Sequence, residues 1–172
     1  MTARTVAGLV CLAALAATGC ASHAGPVPYP FPRPGRPPSV AATADLRPVD
    51  ANALIATALS LRGAPYVWGG TTPGGFDCSG FTRYVYAQHG VDLPRVAAAQ
   101  YRAGTKVALR ELRPGDLVFF STIAPGPSHV GMAIGKDRFV HAPNQRSEVR
   151  IDNINTRYWR RRFIGARRVA SG

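Results

Sequence analysis

The spacing of apolar positions changes three times along the chain, and each change marks a boundary. Behind Arg4 an uninterrupted run of apolar or small residues extends from Thr5 to Ala17 and closes on Thr18-Gly19-Cys20. The run is shorter than the ~20 apolar residues a membrane-spanning helix needs, and it has the layout of a signal peptide. Residues 20–49 carry almost no periodic apolar signal but hold Pro26, Pro28, Pro30, Pro32, Pro34, Pro37 and Pro38. Alternating proline favours extended polyproline II backbone at ~3 Å per residue, so a semi-rigid tether is expected there. A proline-rich ligand for a partner domain is the alternative.

From Asp50 the spacing becomes helical. Leu54, Ala58 and Leu61, with Ile55 and Leu59, form one apolar face over 51–61, with Asp50 as N-cap and Gly63 and Pro65 as terminators. The glycine- and proline-rich stretch 64–75 is expected to be irregular loop. A second helix is predicted over 78–89, capped by Asp77 and stopped by Gly90, with Phe81, Tyr84, Val85 and Gln88 on its packed face. A short third helix over 96–102 is entered through Pro94.

After Gly104 the period drops to that of strands. The runs 117–120, 129–134, 138–141, 149–151 and 163–169 are β-rich and separated by glycine, proline, asparagine or aspartate. Helices first and antiparallel strands afterwards indicate an α+β domain over residues 50–170.

Composition narrows the chemistry. A chain of 172 residues with 46% hydrophobic content supports one core of ordinary size. Of its three cysteines, Cys11 lies in the leader and Cys20 ends it, so Cys78 stands alone in the domain and no disulfide framework is available there. Of the 21 basic residues only Lys106 and Lys136 are lysine, the other 19 being arginine, and the formal charge is +12. Such a balance favours anionic membrane surfaces or wall polymers. Nucleic acid is disfavoured, because the leader predicts export and no nucleic-acid motif is present. The arginines at 157, 160, 161, 162, 167 and 168 are expected to form a solvated face able to hold such anionic polymers or headgroups.

Cys78 sits where a glycine-rich loop enters a helix. Unpaired N–H groups and the positive dipole end of a first helical turn favour a thiolate there. The adjacent Asp77 opposes that charge, so a nearby cation or imidazolium has to offset it. Four histidines are present. His23 lies in the tether and His89 at a helix C-terminus, both ordinary placements. His129 and His141 are different, since a hairpin through Gly135-Lys136-Asp137 would set them side by side on adjacent strands, with Gly131 and Ala133 leaving room beside the ring. A cysteine nucleophile needs a base, and the base needs a third group to orient it. Zinc uses the same residue types, but its close ligand spacings are absent, and no metal is expected.

The ordered set Tyr66-Val67-Trp68-Gly69-Gly70, Asp77-Cys78-Ser79-Gly80-Phe81, Leu93-Pro94-Arg95, Pro114 to Phe120, Ser128-His129-Val130-Gly131 and Phe139-Val140-His141-Ala142 resembles the NlpC-type cell-wall cysteine peptidases, a papain-like group. The resemblance implies helices packed on a five- to six-stranded antiparallel sheet, Cys78 as nucleophile, His129 as general base and His141 as the orienting member. It also implies Tyr66 as an oxyanion-stabilising residue of the site, and Asp77 and Ser79 as contacts to the amino-terminal end of the substrate. Arg95 falls near the site without an assigned role, and Val96-Ala97 replaces hydroxyl residues frequent there. Trp68 is expected to pack in part beneath the cysteine helix.

The implied reaction is hydrolysis of a peptidoglycan stem peptide, typically at the γ-D-glutamyl-diaminopimelate bond, by a monomer without cofactor. Amidase or acyltransferase chemistry on the same scaffold and a non-catalytic wall-binding lipoprotein are the alternatives. The sequence Leu15-Ala16-Ala17-Thr18-Gly19-Cys20 resembles a bacterial lipobox, with Ala17 where leucine is usual. That resemblance implies a signal peptide over 1–19, acylation of Cys20 and a membrane anchor facing the wall; secretion after cleavage at Ala24 is the alternative.

Overall fold

The computed structural model describes residues 49–170. The leader, the predicted lipidation site Cys20 and the tether lie outside the described residues. Helix α1 (Ala51–Ser60) starts as expected, with Asp50 Oδ1 accepting from the Asn52 N–H at 2.8 Å, and it buries Leu54 and Ala58. Helix α2 (Cys78–Ala87) is capped by Asp77, which accepts from the Gly80 N–H at 2.7 Å. Its buried face is Phe81, Thr82, Val85 and Tyr86, while Gln88 is exposed. The helix stops before Gln88, so that position escapes the packed face.

The stretch 64–75 is not wholly irregular. Strands β1 (Thr71–Thr72) and β2 (Gly75–Phe76) pair antiparallel across Pro73-Gly74, and the wholly buried Phe76 pins the hairpin to the core. Proline and glycine shorten the pairing there to two residues rather than abolishing it. Helix α3 (Ala97–Gln100) is held by a buried glutamine. Gln100 donates to the Ser79 and Pro94 carbonyls at 3.0 and 2.8 Å and accepts from Thr82 Oγ1 at 2.8 Å. That network fixes the segment carrying Arg95 against the first turn of α2.

The remaining strands are β3 (Thr105–Val107), β4 (Leu117–Phe120), β5 (His129–Gly135), β6 (Arg138–His141), β7 (Arg150–Asn153) and β8 (Phe163–Arg168), with the short helix α4 (Arg157–Arg160) before the last. All six form one antiparallel sheet in the order β3-β8-β4-β5-β6-β7. The predicted hairpin is present, with Lys136 and Asp137 at φ 52 and 55 forming its turn. In β4 every residue is buried, because both faces of the sheet are covered. One face carries Leu117, Phe119, Val130, Met132, Val140 and Ala142 against α1, α2 and α3. The other carries Val118, Phe120, Ala133, Phe139 and Ala166 against Ile154 and Trp159.

Candidate active site

The two faces of the sheet meet at the start of β5. Helix α2 brings Cys78 to that end from the first face, and Gly80 permits the close approach. A Cβ on Gly80 would lie 2.0 Å from the Gly70 carbonyl oxygen, so only glycine lets this helix turn seat against the loop. Burial pushes the Cys78 thiol up to about 11, and Asp77 adds to the shift; the N–H groups of Val130, Ser79 and Cys78 itself pull the other way. Cys78 packs against the core that holds Val130, one residue beyond His129.

A cation does stand beside Asp77, and it is Arg95, to which the sequence assigned no role. Its Nη2 donates to Asp77 Oδ2 at 2.5 Å, and its Nη1 to Asp77 Oδ1 and Ser79 Oγ, both at 3.1 Å. The fork neutralises the carboxylate beside the thiol while leaving Asp77 as helix cap. Tyr66 is half-buried, and burial first, then the Cys78 and Asp77 charges, push its phenol up to about 12. It therefore stays protonated and able to donate.

The imidazoles occupy the second face. Side chains alternate along a strand, so His129 lies on the same side as Gly131 and Ala133, away from α2. His129 Nε2 and His141 Nδ1 are 2.8 Å apart, and both residues are buried, at 4% and 0% exposure. Gly131 makes the space: a Cβ there would lie 2.6 Å from Phe139 Cδ2 and 3.0 Å from His141 Cβ. The Trp159 ring stacks on His129 with centroids 5.4 Å apart and an interplanar angle of 24°. Burial holds both imidazoles below their ordinary range, and the His141 charge adds to this at His129.

Behind His141 stands a residue that the sequence reading did not single out. Asp152 Oδ2 lies 3.1 Å from His141 Nε2, accepts from Trp159 Nε1 at 2.9 Å and from Arg150 Nη2 at 3.1 Å. The His141 contact, with help from Arg150 and Trp159, holds its carboxyl well below the usual carboxylate range against the effect of burial. The signal was its alternation with Arg150 in the predicted strand 149–151, which stopped one residue short.

Cys78, His129, Tyr66, Asp77, Ser79 and Arg95 all line one cleft of about 780 Å³. Trp68, Val96 and Ile123 rim it and are exposed. Trp68, at 69% exposure, does not pack beneath the cysteine helix; the Gly69 turn at φ +76 turns it outward to the cleft wall. Val96 and Ala97, which stand where hydroxyl residues are frequent, make this wall apolar together with Ala98. His89 has an ordinary task, its Nε2 lying 2.9 Å from Thr57 Oγ1 and tying α2 to α1.

Residues 63–168 match the model of the NlpC/P60 family, which spans the cysteine helix, both histidine strands and the last strand. The chain belongs to the NlpC/P60 family. The domain is 44% identical over 117 residues to a "Probable endopeptidase p60" of Listeria innocua, covering 68% of this chain and 24% of that protein. It is 41% identical over 120 residues to a "Gamma-D-glutamyl-L-lysine dipeptidyl-peptidase" of Bacillus cereus, covering 69% of this chain and 36% of that one. The chain thus spans about a quarter to a third of the length of these curated relatives. Among solved structures, the NlpC/p60 domain of the peptidoglycan hydrolase SagA superposes with TM-score 0.63 at 38% identity, covering 70% of this chain and 99% of that domain. The α+β class of the NlpC/P60 domain agrees with this superposition.

Proposed function

We propose that the protein is a peptidoglycan hydrolase that cleaves the stem peptide as a cysteine endopeptidase. The observation that carries this reading is that a helix-terminal thiol and His129, the outer member of a buried imidazole pair, line one open cleft at the end of β5. The names of the relatives support the substrate class, and one of them is named for a γ-D-glutamyl bond. We assign the bond to the γ-D-glutamyl link to the diamino acid, typically diaminopimelate.

With the thiol pushed up and the imidazoles pushed down, Cys78 and His129 rest as a neutral pair. Attack on the scissile carbonyl transfers the thiol proton to His129 as the carbon–sulfur bond forms. The resulting oxyanion accepts from the Tyr66 hydroxyl and from main-chain N–H groups at the start of α2. Collapse expels the amine, which takes the proton from His129, and leaves an acyl-enzyme. Water deprotonated by His129 then releases the acid and restores the thiol. Asp77 and Ser79, held by Arg95, flank the thiol where the amino-terminal end of the stem would lie.

A leader ending at an acylated Cys20 and a proline-rich tether would keep the enzyme at the membrane face of the wall, and the domain works as a monomer in this reading. Digestion of purified muropeptides, with products read by mass spectrometry beside Cys78→Ala, tests the proposal. Stem cleavage lost in the variant is expected. Release of the sugar from the peptide would instead make it an amidase, and an unchanged Cys78→Ala digest would remove the thiol mechanism.

A further inference from the structure

The hydrogen bonds behind the base continue beyond the expected triad, and we propose that Asp152 is a positioning residue that sets the tautomers of both imidazoles. The inference rests on the reading of Cys78 and His129 as the reacting pair. Two strand pairings carry it, with the face on which His129 lies. His141 pairs with Arg150, and Phe139 with Asp152, so His141 and Asp152 are diagonal neighbours on one face of β6 and β7. His129 enters the same face from β5. The chain His129–His141–Asp152 therefore crosses three adjacent strands without a gap, in steps of 2.8 and 3.1 Å.

The direction of every proton follows from its far end. An ionised carboxylate accepts only, and Asp152 is held ionised. The hydrogen between Asp152 and His141 therefore sits on His141 Nε2. In the neutral ring this leaves His141 Nδ1 as an acceptor, so His129 must present Nε2–H to it. The one nitrogen then left basic on His129 is Nδ1. Without Asp152 the two tautomers of His141 become closer in energy, and the reversed one would place the proton on the wrong nitrogen of His129. The carboxylate also favours the imidazolium that forms when His129 takes the thiol proton, raising its pKa through the pair.

Asp152 is itself fixed from the other side. The Trp159 indole donates to the same oxygen that faces His141, and Arg150 donates to it as well. Its side chain is about one-fifth exposed, and a second cavity of about 490 Å³, lined by Thr122, Asn144 and Tyr158 among others, opens onto it. The charged and titratable groups facing the relay are Arg150 and Asp152 on β7, His141 on β6 and His129 on β5. Trp159 faces it from α4, and Asp77, Arg95 and Tyr66 surround the thiol at its other end.

The test is Asp152→Asn, which keeps the shape but offers an amide that can also donate to His141. Two readouts are needed, because neither alone separates positioning from folding. The first is the rate of Cys78 alkylation by iodoacetamide from pH 6 to 11, which requires no substrate. The variant is expected to react about tenfold more slowly near pH 7 and to converge with the parent only as the pH approaches about 11, where the thiol ionises without its base. A deficit of equal size at every pH would mean a merely structural role and would overturn the proposal, as would an unchanged rate at pH 7.

The second readout is steady-state muropeptide cleavage, where kcat is expected to fall 10- to 100-fold with KM within threefold. A kcat within twofold of the parent overturns it. Imidazole 15N spectra of the unsubstituted protein cover the case in which the variant does not fold. Nε2–H tautomers at both His129 and His141 are expected, and an Nδ1–H tautomer at either contradicts the assignment. Failure of the enzyme reading shows separately, as absent cleavage by the parent, and leaves the spectra and alkylation curves to decide on Asp152.

Discussion

Gly131→Ala adds one methyl group, and its cost can be worked from its surroundings. The new Cβ would stand 2.6 Å from Phe139 Cδ2, 3.0 Å from His141 Cβ and 3.1 Å from the Val140 carbonyl oxygen. Ordinary carbon contacts lie at about 3.5–4.0 Å, so something must move by roughly 1 Å. Phe139 cannot yield easily, being wholly buried between Phe120 and Trp159 at ring distances of 5.0 and 5.1 Å. The Val140 carbonyl belongs to a strand paired on both sides. His141 is what remains, and moving it opens the 2.8 Å bond to His129.

Overpacking of this kind costs about 1–3 kcal/mol, which for a domain of this size lowers Tm by roughly 4–12 °C. A displacement near 1 Å in the group that orients the base lowers kcat by roughly 100-fold. Circular-dichroism melts and muropeptide turnover measure the two effects on one preparation. Gly74→Ala serves as control, since its Cβ would meet nothing closer than the Thr72 hydroxyl at 3.7 Å. A Gly131→Ala protein that melts within 1 °C of the parent and keeps its turnover would refute the packing argument.

Other substitutions and conditions test separate parts of the reading. Both buried imidazoles are held below 6.5, so the unfolded chain binds more protons than the native one as pH falls below that value. Stability is therefore full above about pH 6.5 and declines below it, which urea titrations at pH 7.5 and 5.5 would show and His141→Gln should lessen. Removing Arg95 by Arg95→Ala leaves Asp77 unpaired beside the thiol, which disfavours the thiolate; alkylation at pH 7 should slow, and Arg95→Lys should restore it only in part, having no fork. Trp159→Phe keeps the stacked ring but removes the donor to Asp152, costing about 1 kcal/mol in a chemical melt, whereas Trp159→Ala opens the second core and costs about 3–5 kcal/mol. Retention on anionic wall polymer should weaken as salt rises, and charge reversal at Arg157 and Arg161 should weaken it further; retention that ignores ionic strength would sink that idea.

Much of this was legible in the residues because the devices involved are local. A cap at Asp77, a stop at Gly90 and a turn at Gly135-Lys136-Asp137 each act within a few positions, and each stands where the spacing put it. The pairing of His129 with His141 followed from that one turn. What escaped was set by contacts distant in sequence. Thr105–Val107 is too short and polar to read as a strand, and becomes one because β8 supplies its partner. The placement of β8 between β3 and β4 leaves no trace in periodicity. Trp68 reads as a packing residue by its type and stands in the cleft wall because a glycine turn points it there. Asp152 and Trp159 lie seven residues apart in an unremarked polar stretch, and only the sheet register brings them behind His141.

The thiol and its base belong to different cores. Cys78 packs with the helical layer on one face of the sheet and the imidazoles with Trp159 and Phe139 on the other, and thiol and His129 come together only where β5 begins, in the cleft they share. In the proposed mechanism the proton therefore passes only at that open end, between a group carried by the helical layer and one carried by the sheet. A substitution in the aromatic layer, such as Gly131→Ala, moves an imidazole without touching the helix that holds the sulfur. The proposed reaction is thus aimed from two sides that can be disturbed separately.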